Sequence, residues 1–149
     1  MDLTSINNQV NKFDINAILA TIPDFYKTDK CLVTYADWKK EFYGGEIPQY
    51  HDQLNVWYLH DNCLVCLTVD LADKTQSTNS VQKIFFNSNL WINKREITDS
   101  DKNVTVYWAV NFSTGGEIRW PVDHPQSDEW LAYFRDVEAT WFTYRKANP

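Results

Sequence analysis

The sequence predicts an α+β domain: a single antiparallel β-sheet of about 4–6 strands built from hairpins, packed by two short N-terminal helices and one C-terminal helix. Three observations predict it. Residues Leu54 to Leu71 alternate on both sides of a turn dipeptide, Asn103 to Trp120 repeat that arrangement, and the last twenty residues carry an apolar stripe at helical spacing.

Residues 1–12 are polar and Asn-rich without a period, and are expected to form a flexible N-terminal segment ahead of a single domain at 13–149. Asp14 reads as an N-cap, with Ile15, Ile18, Leu19 and Ile22 following at helical spacing. Pro23 interrupts this helix or opens a further turn to about Tyr26. Thr34-x-x-Asp37 has the form of a capping box. With Tyr35, Trp38 and Phe42 on one face and Gly44-Gly45 as a stop, it predicts the second helix.

The hairpin from Leu54 to Leu71 is the strongest local signal. Asp61-Asn62 suits a two-residue turn, because both types tolerate positive φ. That turn pairs His60 with Cys63, Tyr58 with Val65, Val56 with Leu67 and Leu54 with Val69, which makes one face apolar. The other face pairs Leu59 with Leu64, Trp57 with Cys66 and Asn55 with Thr68, so burial on both sides is expected. A polar loop spans 73–80. Val81 to Trp91 fits helix or strand, and its Ile-Phe-Phe cluster favours strand.

From Asn103 the alternation places Val104, Val106, Trp108, Val110 and Phe112 on one face. A turn closed by Ser113 and Gly116 would put Tyr107 and Ala109 on the opposite face together with Ile118 and Trp120. A closing helix begins near Pro125 or Ser127. Trp130, Phe134, Val137, Trp141 and Tyr144 form its stripe, with Asp128 and Glu129 in the first turn and Arg145 and Lys146 in the last.

Composition bounds the function. With 149 residues the chain can bury a core of its own, and the 15 % of aromatic residues supply an unusual share of it. A net charge of −6 disfavours phosphate backbones, so no nucleic-acid partner is expected. No stretch approaches the roughly 18 apolar residues of a membrane span, and no basic segment precedes an apolar run at the N-terminus. With three cysteines, an odd number, a cytoplasmic setting is expected.

Catalytic motifs are sparse. Cys63-Leu64-Val65-Cys66 has redox or zinc spacing, but residues three apart in a strand face opposite ways, which predicts two structural thiols. His51-Asp52, His60-Asp61 and Asp123-His124 sit in connections, and His60 beside Cys63 lacks an oxyanion donor. With Gly 4 in the chain there is no phosphate loop. No cofactor and no metal site are therefore expected, and an enzyme is the less favoured reading.

What remains is aromatic placement. Trp57, Tyr107 and Trp120 fall on the less apolar faces, where either a helix covers them or they form an interaction patch. Acidic secretion chaperones and toxin-neutralising immunity proteins share this size, charge and element order. The segment Ile84-Phe85-Phe86-Asn87-Ser88-Asn89-Leu90 resembles the former at a few positions, while the paired N-terminal helices depart from it. The expected function is a non-enzymatic protein-interaction domain of chaperone, inhibitor or immunity type, using an aromatic sheet face or the C-terminal helix on another protein or a second copy of itself. The alternative is a ligand-binding or enzymatic cone, similar to NTF2-like or START-like domains, with an aromatic-lined pocket. In that case Tyr58, His60, Tyr107 and Asp70 are the first acid–base candidates.

Overall fold

The computed structural model describes residues 14–37, 52–71, 78–86, 89–113 and 117–149. The contact pattern divides the chain into two compact units, residues 1–84 and 85–149. Each unit has its own antiparallel sheet, so the single sheet expected from sequence is corrected to two sheets, of four and three strands.

In the first unit, α1 (Ile15–Ala20) starts where expected, because the Asp14 carboxylate accepts from the Ala17 N–H at 3.1 Å. A single 3₁₀ turn over Asp24–Tyr26 follows Pro23, whose fixed φ suits that start. The predicted second helix is overturned over the part that is described. Cys31–Asp37 is a strand, β1, paired antiparallel with β2 (Asp52–Leu59). Leu32, Val33 and Thr34 follow one another, and all three are buried, which one helix face cannot do but the two faces of a strand paired with β2 can. Thr34 does not cap a helix. Its hydroxyl accepts from the Trp57 indole N–H at 3.3 Å across the strand pair. Trp38, Phe42 and Gly44-Gly45 lie outside the described residues, as do residues 1–12 and the turn at Gly115-Gly116.

Strand β3 (Cys63–Asp70) pairs with β2 in the register that the Asp61-Asn62 turn predicts, from Leu54 with Val69 to Leu59 with Leu64. The sheet order is β1-β2-β3-β4, with β4 at Thr78–Phe85, so Val81 to Phe85 is strand, while Phe86 lies past its end and Leu90 and Trp91 belong to a strand of the other sheet. One face carries Val33, Leu54, Val56, Tyr58, Val65, Leu67 and Val69 into a core with Ile15, Ile18 and Ile22 from and beyond α1. The opposite face holds Leu32, Trp57, Leu59, Leu64 and Cys66, also buried. Two-sided burial follows from the apolar content of both faces.

The second unit is β5 (Leu90–Thr98), β6 (Val104–Phe112), β7 (Glu117–Pro121) and α2 (Ser127–Ala147), in sheet order β5-β6-β7. Strand β5 extends seven positions beyond Trp91 through Asn93, Lys94, Arg95 and Glu96, an exposed run that carries no apolar alternation. The β5–β6 turn is built on Asp99, whose carboxylate accepts from the Asp101 and Asn103 N–H groups at 2.9 Å each. Lys102 within it has φ 64°, in the left-handed region.

The β6–β7 register corrects the sequence expectation by one residue. Trp108 stands opposite Trp120 and Val110 opposite Ile118, so Trp120 shares a face with Trp108 and not with Tyr107. A one-residue change in the connection moves every side chain of β7 to the other face. On this face the stripe of α2 packs: Trp120 stacks on Phe134 at 5.7 Å and meets Trp130 edge-on at 4.8 Å. Phe112 stacks on Trp141 at 5.7 Å, and Phe86 lies 4.7 Å from the same ring. Trp130, Phe134, Val137 and Trp141 are buried, as the helical spacing requires.

Candidate functional site

The five residues selected from sequence are brought into packing roles. Trp57 is buried, with its indole N–H on Thr34. Tyr58, its neighbour, points to the other face and bonds the Cys31 thiol across the β1–β2 pair; burial and that thiol push its phenol up from the ordinary value. His60 is half-buried, and its Nε2–H donates to the Tyr26 carbonyl at 2.9 Å, tying the hairpin tip to the 3₁₀ turn. Tyr107 is buried beneath the Arg119 guanidinium, which sits 5.4 Å from the ring centroid. Trp120 is 0 % exposed and donates to Ser127 Oγ at 3.1 Å. Trp57 and Tyr58, being consecutive, take opposite faces of the first sheet, and Tyr107 and Trp120 take opposite faces of the second. The open aromatic sheet face is thus a buried one.

The thiols are held in their neutral form. Cys63 lies in the core with Val65, while Cys66 is buried on the opposite face, the geometry expected of a CxxC within a strand. Burial raises Cys31 and Cys63 above the usual thiol range and pushes Cys66 up to about 12, so none is an activated nucleophile at neutral pH. Among the described residues no three His, Cys, Asp or Glu side chains group as metal ligands; His51 lies outside them.

The face of the second sheet opposite α2 carries a polar network. Arg95 bridges Glu117 Oε2 at 2.9 Å and donates to Asn111 Oδ1 at 3.1 Å. Asn111 Nδ2 in turn donates to Asn93 Oδ1 at 2.9 Å and to the Trp91 carbonyl at 3.3 Å. Lys94 lies over the Trp108 ring at 4.9 Å on the helix side. These cations are committed to neighbours within the unit.

The open feature of the second unit is a groove of about 700 Å³ between the start of β5 and the last turns of α2. Its strand wall is Asn89, Leu90 and Trp91, and its helix wall is Glu138, Trp141, Phe142, Arg145 and Lys146. Positions 138, 141–142 and 145 recur every three to four residues, so one helix face supplies the wall. Leu90 and Trp141 are buried and form the floor, while Trp91 is 47 % and Phe142 62 % exposed at the sides. From Glu138 to Ala147 this wall runs roughly 14 Å.

Sequence reasoning missed both exposed aromatics. Phe142 had a usable signal: it is apolar, yet it stands off the stripe of 130, 134, 137, 141 and 144. Trp91 had none, being the end of a segment that fits helix or strand.

A small antiparallel sheet closed by one long helix, with an aromatic groove at their shared edge, is the class that this second unit defines. No family model, curated protein or solved structure matches the chain.

Proposed function

We propose that the chain is a non-enzymatic protein-interaction domain, of the acidic chaperone, inhibitor or immunity kind, that presents the last turns of α2 to a partner protein. One observation carries this: Trp91 and Phe142, two of the largest side chains, stand half-exposed on the two walls of a single groove whose floor is apolar. Monomeric proteins rarely leave contiguous apolar patches open, and aromatic residues are enriched at the buried centres of interfaces. The neutral thiols and the hydrogen-bonded His60 agree with a role that is not catalytic. A cytoplasmic setting belongs to the same proposal, since all three cysteines are free thiols. Among the described residues no helix is long and apolar enough to cross a membrane.

The test is binding of a fluorescein-labelled amphipathic peptide of about 15 residues, with Leu at i, i+3, i+4 and i+7 and Gln elsewhere. Saturable anisotropy change with the wild type, lost in Trp91→Ala/Phe142→Ala with the melting transition retained, is expected. Equal binding by that variant overturns the proposal. A rise in mass by light scattering that the same variant abolishes would make the partner a second copy.

The groove volume favours one second reading, because about 700 Å³ lies within the range of small-molecule sites. In the groove form seen here, with both aromatics half-exposed, a small ligand would keep much of its surface in water.

A further inference from the structure

Resting on the interaction reading above, we infer that the segment received by this groove is acidic, an apolar peptide flanked by Asp or Glu carboxylates that meet Arg145 and Lys146. The chain as a whole is acidic, at −6, so a cationic rim runs against its average. The other cations of the second unit are already placed: Arg95 on Glu117, Lys94 over Trp108, Arg119 over Tyr107 and Arg135 on Glu138. Apart from Lys102 in the β5–β6 turn, the two that remain among the described residues of this unit both line the groove. The one acidic side chain that lines the groove, Glu138, is engaged by the Arg135 guanidinium at 3.3 Å, which offsets its charge. The rim therefore presents two uncommitted positive groups above an apolar floor.

The two fields oppose each other, which makes the inference testable. The net charge of −6 repels an acidic peptide at long range at low salt and is screened beyond about 8 Å at physiological ionic strength, while contact with the rim attracts it. If local pairing dominates, affinity falls as salt is added. If the net charge dominates, affinity rises.

Three peptides with the same Leu positions and with Glu, Gln or Lys at the polar positions are titrated at low and at physiological salt. The Glu peptide is expected to bind about five- to tenfold more tightly than the Gln peptide at low salt, with the Lys peptide weakest. Added NaCl is expected to narrow the gap. In Arg145→Glu/Lys146→Glu the order should reverse, the Lys peptide becoming the tightest; Arg145→Gln/Lys146→Gln should level the three if the reversed variant melts early. Equal binding of all three by the wild type overturns the inference and leaves the interaction reading standing. Failure of all three overturns both. Tight binding of dodecanoate with none of the Glu peptide replaces the peptide by a small acyl carboxylate and also overturns it.

Discussion

Replacing Ser127 by Ala tests the second unit at the point where sequence and structure differ. The Trp120 indole is 0 % exposed, and its N–H donates to Ser127 Oγ at 3.1 Å. Ser127→Ala removes the acceptor and leaves a buried donor without a partner, which costs about 1–3 kcal/mol. Trp120→Phe removes the donor and about three heavy atoms from a site walled by Trp130 and Phe134, for about 2–3 kcal/mol including the residual void. In the double variant neither polar group remains, so Ser127→Ala on the Trp120→Phe background is expected to cost close to nothing. The coupling is thus about 1–3 kcal/mol. Urea unfolding followed by far-UV circular dichroism measures all four corners. Were β7 shifted by one residue, Trp120 would face away from α2 and the two substitutions would be independent. A Ser127→Ala cost below about 0.5 kcal/mol in the wild type, or the same cost in both backgrounds, would refute the register and the hydrogen bond together.

Other outcomes follow from the same geometry. Thr34→Val keeps the β-branch of β1 but orphans the Trp57 N–H, and is expected to lower stability by about 1–2 kcal/mol in the same assay. Lys102→Gly relieves a left-handed backbone and is expected to raise stability by about 0.5–1 kcal/mol, whereas Asp99→Ala removes two N–H acceptors of the same turn and should lower it by about 1 kcal/mol. The raised Cys66 thiol binds its proton more tightly in the folded state than in the unfolded one. Its contribution is therefore whole below the ordinary thiol value of 9.0 and lost as pH climbs toward about 12, and Tyr58 acts in the same direction. Denaturant midpoints between pH 8 and pH 11 should fall, and a Cys66→Ser variant should fall less steeply.

The parts of the fold that the sequence makes legible are those where one local rule suffices. Asp61-Asn62 sets a two-residue turn, and from it every pair from Leu54–Val69 to Leu59–Leu64 follows. The stripe of α2 repeats often enough to outvote any single residue. The failures have physical causes as specific. Thr34 and Asp37 have the spacing of a capping box, yet the adjacent burial of Leu32 and Val33 comes from pairing with a strand some twenty residues on, which local spacing does not contain. Strand β5 hides because its exposed length is Asn, Lys, Arg and Glu, residues that protect an edge and so erase the alternation that would reveal it. A single residue in the β6–β7 pairing decides the face of Trp120, and local spacing does not fix that register, so a shared face with Tyr107 could not be read from it. The groove itself joins position 91 to position 142, a pairing that only packing of α2 on β5 creates.

The clustering of indoles along α2 and its sheet has a consequence for how this protein reports its own unfolding. Five of the seven tryptophans, at 91, 108, 120, 130 and 141, belong to the unit after residue 84, and Trp57 is the one described in the unit before it. Indole emission therefore follows residues 85–149, whereas the amide signal in the far ultraviolet weighs both sheets. Coincident midpoints from the two signals would define one cooperative transition, and a gap between them would measure the free energy by which one unit outlasts the other.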